Sequence, residues 1–131
     1  MAESLLRLAL VSLFLGDGSR LGYAMMFGKL GKNMARRKAV KIYRRGLAHA
    51  NASRYDDAIA AYSSVVEMRQ GPLDVRSMAR LNRALVYSLQ GNADLAGKEL
   101  TIVIHDDAAP DSVTATAQEK LKRLERRTKT D

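Results

Sequence analysis

Sliding the 131-residue chain against itself by 38 residues aligns two stretches of matching residue character, and this constrains the fold more than any other feature. Gly46 meets Ala84, Leu47 meets Leu85, His49 meets Tyr87 and Ala58 meets Ala96. Tyr62 then meets Leu100, Val65 meets Val103 and Val66 meets Ile104, while Asp56 falls on Asp94 and Pro72 on Pro110. A period in this range is the signature of a helical repeat, in which each unit buries its apolar face against the next.

Each unit divides into two helices. In the first, residues 39–52 carry Ile42, Tyr43, Gly46, Leu47 and Ala50 at three- and four-residue spacings, along one stripe. Residues 51–53 supply a turn, and Ser53 with Asp56 predicts a capping-box-like start to the second helix. That helix shows Ala58, Ile59, Tyr62, Val65 and Val66 on its apolar face and is expected to end near residue 69. Gln70-Gly71-Pro72 stops it, glycine permitting a left-handed cap and proline being unable to continue the ladder. The second unit predicts helices over residues 74–89 and 93–104 around a Gln90-Gly91-Asn92 turn.

A final helix over residues 111–127 sets Val113, Ala117, Leu121 and Leu124 on one side and mostly charged residues on the other, the pattern of a terminal cap. The aromatic share is only 5%, with no Trp, so the core must be built from Ala, Leu, Val and Met. Such residues suit closely approaching helices better than sheets, and the expected class is all-α. The expected organisation is an N-terminal segment, 1–34, a helical-repeat domain, 35–128, and a short tail, 129–131. Within the domain, repeat 1 covers about 39–69, repeat 2 about 74–104 and the cap about 111–127.

With that pattern in place, the chain resembles the tetratricopeptide repeat (TPR) family. That family places a small residue in the first helix, an aromatic three later, an Ala nine after that, an aromatic four later and an apolar residue three later. Those places hold Gly46, His49, Ala58, Tyr62 and Val65, then Ala84, Tyr87, Ala96, Leu100 and Val103, and RYDDAIAAYSSVVEM reads like the family's second helix. Departures are Ile42 and Arg80 where an aromatic is usual, His49 for a Tyr, and prolines two residues late in both units. The resemblance implies antiparallel helix pairs stacked as a short right-handed superhelix with a capping helix. It also implies a concave face, lined by first helices, that binds a protein, an extended peptide or a partner helix. The stripe expected there runs through Tyr43, Leu47, Ala50 and Asn51, then Met78, Leu81, Asn82, Leu85 and Ser88. Some relatives clamp a C-terminal carboxylate. Asn82 stands at one matching place, but Tyr43 and Leu47 stand where that clamp has Lys and Asn.

Chemistry is not the expectation. His49 takes a packing place, and His105-Asp106-Asp107 reads as a solvated helix end rather than a metal site. No nucleophile, base and orienting acid assemble by spacing, so a non-enzymatic adaptor or scaffold without cofactor is expected. The absence of Cys excludes disulfides and thiolate metal sites.

The net charge of +8 is unevenly placed. Residues 1–45 carry ten Lys/Arg against two acids, whereas residues 46–119 carry six against ten. Arg36, Arg37, Lys41, Arg44 and Arg45 therefore give an alternative function: binding nucleic acid or an anionic membrane through basic flanks. The cap residues 120–129 are similarly basic.

LLRLALVSLFLG, residues 5–16, is strongly apolar but shorter than the roughly 20 residues a spanning helix needs. It is expected to be a packing or membrane-apposed helix, with a secretory leader as the alternative; Met34 offers another start. GDGSRLG, residues 16–22, is expected to be a flexible turn rather than a phosphate loop, because no later acid or parallel sheet completes such a site. The expected location is cytoplasmic, with membrane association or export through residues 1–24 as alternatives. Two repeats are few for a stacked fold, so self-association through an uncapped repeat end is a further expectation.

Overall fold

The computed structural model describes residues 17–130, with side chains from residue 25 onward. The expectation for residues 5–16 lies outside the described residues. Among the described residues five helices follow one another: α1 (Asp17–Asn51), α2 (Tyr55–Val66), α3 (Leu73–Leu89), α4 (Ala93–Ile104) and α5 (Asp111–Thr130). Among the described residues there is no strand, and the fold is all-α. The chain divides into two compact units, Met1–Met34 and Ala35–Asp131, the division falling within α1.

Three expectations about element ends are corrected. Over residues 17–22 the expected turn is replaced by helix, because α1 is helical from Asp17; an interior glycine costs a helix only about 1 kcal/mol and does not by itself stop one. Helix α2 ends at Val66, three residues before the expected end. Helix α5 continues to Thr130, beyond the expected end at residue 127.

In the second unit, helices adjacent in sequence pack together: α2 on α3, α3 on α4 and α4 on α5, with α3 also touching α5. Two apolar clusters hold them. The first joins Ala39 of α1 to Ala58, Tyr62, Val65 and Val66 of α2 and to Val75, Ala79 and Val86 of α3. The second joins Leu81 and Ala84 of α3 to Leu100 and Val103 of α4 and to Val113 and Ala117 of α5. Helix α3 thus contributes to both clusters, Val75, Ala79 and Val86 to the first and Leu81 and Ala84 to the second.

Close approach inside each pair is set by one small residue facing one large one. A Cβ added to Gly46 would lie 2.6 Å from Cε1 of Tyr62, whose ring is only 1% exposed. At the positions 38 residues later Ala84 and Leu100 are both buried. The smaller leucine accompanies an alanine where the tyrosine accompanies a glycine.

The turn between paired helices recurs as well. Ser53 adopts φ 57° and Gly91 φ 78°, and in each case the next residue returns its amide to the helix: Arg54 N donates to His49 O, Asn92 N to Tyr87 O, both 2.9 Å. These are left-handed helix ends of the Schellman type. Ser53 is therefore not the capping residue expected for α2. That position belongs to Arg54, whose side chain makes no cap bond. Asn92 does cap α4, its Oδ1 accepting from Leu95 N at 3.2 Å.

Burial pushes the Tyr62 hydroxyl up to about 12, and the nearby Tyr43 adds to the effect. The unfolded chain ionises such a group near pH 10. This side chain's contribution is therefore fully present below about pH 10 and is lost as pH rises towards the folded value, because the unfolded state releases its proton first. Phenolate absorbance should show one tyrosine titrating well after the exposed ones, and Tyr62→Phe should abolish that late step. A spectrum in which all tyrosines ionise together near pH 10 would contradict the packing.

Candidate functional site

The residues expected to line a concave stripe do not form one continuous surface. Tyr43 of α1 is half-buried, its ring centroid 6.0 Å from that of Tyr62. Its hydroxyl accepts from Asn82 Nδ2 of α3 at 2.6 Å, so these two candidate residues are tied to each other across α1 and α3. Burial raises the Tyr43 hydroxyl and the Asn82 bond opposes that shift. Leu47 packs against the first cluster and Met78 against the second, both partly exposed. Asn51 is exposed at the end of α1. Leu81 is a correction: it is 8% exposed and belongs to the second cluster, because the first half of α5 brings Val113 and Ala117 over it.

Leu85 and Ser88 are different. Both are half-buried, and together with Leu89 they form one wall of a depression of about 290 Å³. Ala84 and Leu100 lie at its base, and the other wall is Lys120, Arg123, Leu124 and Arg127 of α5. The volume is near the lower bound of about 300 Å³ for small-molecule sites, which suits one or two side chains rather than a whole cofactor.

The α5 wall went unrecognised in the sequence as part of a site, yet its signal is present. On a helical wheel of about 100° per residue, Lys120, Arg123 and Arg127 sit on one flank of the stripe Val113, Ala117, Leu121 and Leu124. Cations bordering an apolar stripe can overhang it, their methylene stems covering apolar surface and their charges reaching out. Arg123 is shared with Glu119 one turn earlier, whereas Lys120 and Arg127 make no ion pair among the described residues. The depression is thus apolar at its base and positive at its rim. On the other side of α5 a broader hollow of about 720 Å³ lies against α4, with Ile102, Gly97 and Leu121 beside mixed charges from Asp94, Lys98 and Glu125.

The expected anion-binding set also divides. Arg36 forms a two-bond fork with Asp74, Nη1 to Oδ1 at 3.0 Å and Nη2 to Oδ2 at 2.8 Å. That hydrogen-bonded pairing holds the Asp74 carboxyl below its ordinary value, so Arg36 is an internal strap between α1 and α3 rather than a free cation. Arg37, Lys41, Arg44 and Arg45 remain exposed and without ion pairs among the described residues, the first three on the side of α1 opposite Ala39, Ile42 and Gly46 and Arg45 on its flank.

Of the polar groups weighed as metal ligands, Asp106 is engaged with Ser77, whose Oγ donates to Oδ2 at 2.7 Å, and its Oδ1 accepts from Ala108 N. The ring Nδ1 of His105 lies 2.9 Å from Thr101 O in the preceding turn. His49 Nδ1 is buried without a hydrogen-bond partner. Among the described residues no group of three or more His, Asp or Glu converges with metal-ligand geometry, and no helix is long and apolar enough to cross a membrane.

Comparison with protein-family models, curated protein sequences and solved structures returns no match.

Proposed function

We propose that this chain is a non-enzymatic protein-binding module of tetratricopeptide-like architecture, an adaptor that holds a peptide or partner helix in the groove between α3 and α5. Three features support the architecture: left-handed turns recurring at Ser53 and Gly91, the matched pairs Gly46 with Tyr62 and Ala84 with Leu100, and the contact of α3 with α5 across the intervening α4. Stacked helix pairs of right-handed superhelical sense bring first helices together in this way.

The single observation that carries the function is that Leu85 and Ser88 open onto an apolar depression rimmed by Lys120, Arg123 and Arg127. An apolar anchor entering it would exclude water, and rim charges would then fix orientation and speed the encounter more than they add affinity. The reading predicts that Leu85→Asp, which places a charge where the anchor would sit, weakens a purified partner by about 2 kcal/mol or more, roughly thirtyfold. Leu85 belongs to neither core cluster, so the melting curve should be retained. Partners recovered by affinity purification from the native cell, then titrated against both proteins, check this. Unchanged affinity would remove the groove from the account. The competing reading, nucleic-acid binding through Arg37, Lys41, Arg44 and Arg45, predicts instead a salt-steep RNA or DNA shift that survives Leu85→Asp.

A further inference from the structure

Of the large apolar side chains exposed among the described residues, five lie in the ten residues 25–34: Met25, Met26, Phe27, Leu30 and Met34. The four others, Leu73, Leu89, Leu95 and Ile102, are scattered over the second unit. At about 100° per residue, Met26, Phe27, Leu30 and Met34 fall within an arc of roughly 100° on the helix, whereas Met25 lies outside it. Their exposures, 70%, 43%, 53% and 63%, describe an unburied stripe. Isolated apolar side chains on a surface are ordinary, but a contiguous stripe marks an interaction face.

The charges around it are of one sign. Lys29 lies about 60° beyond the edge of the arc and Lys32 on the opposite side of the helix, and no acid occurs between Asp17 and Asp56. Gly28 lies away from the stripe and Gly31 beside its Phe27 edge, and a Cβ on either would meet nothing within 4 Å. No close approach requires these glycines, yet each weakens a helix standing alone by about 1 kcal/mol. The helix here therefore gains from a surface that orders it. An apolar stripe with lysines and no acids complements a surface that is apolar beneath and negative on top.

We infer that the helical segment 25–34 is an interfacial anchor for anionic lipid bilayers. It lies in the plane of the membrane, with Met26, Phe27, Leu30 and Met34 at the acyl boundary, Lys29 on the flank among the headgroups and Lys32 on the water side. This activity is separate from the α3–α5 groove and stands or falls without it.

The test is co-sedimentation of the full chain with vesicles of phosphatidylcholine alone and with about one-third phosphatidylserine, over a salt series. The full chain should bind the anionic vesicles and bind the neutral ones more weakly. Phe27→Glu with Leu30→Glu should lower partitioning at least about tenfold on both vesicles, since it removes two of the four buried side chains. Lys29→Ala should lower it about fivefold on anionic vesicles only, and Lys32→Ala by less. Gly28→Ala with Gly31→Ala should bind more tightly, because the helix is ordered beforehand. Thermal melts of each variant should match the parent.

Failure of the parent to sediment with anionic vesicles would overturn the inference. So would binding that Phe27→Glu/Leu30→Glu leaves intact while Arg37→Glu/Lys41→Glu abolishes it. Self-association that the Phe27→Glu/Leu30→Glu change dissolves, without vesicle binding by the parent, would assign the stripe to a second copy of the chain instead.

Discussion

Gly46→Ala should lower the thermal midpoint of the 35–131 unit by about 5–15 °C, and Gly46→Leu by more. The added Cβ would stand 2.6 Å from Cε1 and 2.8 Å from Cδ1 of Tyr62, distances that require something to move. The ring is 1% exposed and sits among Ala58, Val65 and Val86, so it has no free side to move towards. Overpacking of this kind costs about 1–3 kcal/mol, while replacing glycine in a helix returns at most about 1 kcal/mol. For a domain of this size each kcal/mol is worth about 4–8 °C. The decisive form is a double-mutant cycle. Tyr62→Leu alone should destabilise by opening a cavity, but Gly46→Ala with Tyr62→Leu should recover much of the loss. That combination rebuilds in the first repeat the pairing that Ala84 and Leu100 occupy in the second. Strict additivity in circular-dichroism melts of the four proteins would contradict the account of helix pairing.

The second large effect is expected at Glu99. Its Oε2 accepts from Arg83 Nε at 2.9 Å and Nη2 at 2.6 Å, its Oε1 from Arg80 Nη1 at 3.3 Å, and Arg83 Nη1 also donates to Ser63 Oγ at 2.9 Å. One carboxylate thus joins α4 to two arginines of α3 and, through one of them, to α2. The side chains of Glu99 and Arg83 are each 12% exposed, so Glu99→Ala would leave Arg83 largely out of water without its counter-charge. Breaking such a pair costs about 3–5 kcal/mol, and Arg80, which is more exposed, can turn outward to soften the loss towards the lower figure. Glu99→Gln keeps an acceptor and should cost less. In urea denaturation, Arg83→Ala with Glu99→Ala should be less destabilised than the sum of the single changes, because no unpaired charge remains. Additive losses would mean that the three side chains contribute separately.

The sequence disclosed the helices, their apolar faces and the small positions where they meet, because these follow from periodicity and residue volume. Gly46 and Ala84 were legible as close-contact sites, and the structure shows the reason for their difference in Tyr62 and Leu100. Periodicity does not say which neighbour covers a face. Leu81 and Leu85 are one turn apart on the same stripe. Leu81 is buried beside Ala117, where a small side chain permits contact, whereas Leu85 faces Lys120, Arg123 and Leu124, whose longer side chains leave a hollow. Pairings distant in sequence were equally hidden: Arg36 with Asp74, Tyr43 with Asn82 and Ser77 with Asp106 each join residues at least 29 positions apart. Ser53 misled because serine is favoured at helix starts, and its left-handed backbone is visible only once the chain is folded.

The most direct test of the groove uses the absence of cysteine. A single Ser88→Cys carries a thiol-reactive photocrosslinker at the rim of the depression, and Lys41→Cys carries the same reagent on the basic side of α1 as a control. Irradiation in extracts of the native cell should give a discrete protein adduct from position 88, reduced when Leu85→Asp is added and absent from position 41. A position-88 adduct indifferent to Leu85→Asp, or adducts formed only from position 41, would contradict the assignment of the α3–α5 groove as the binding site.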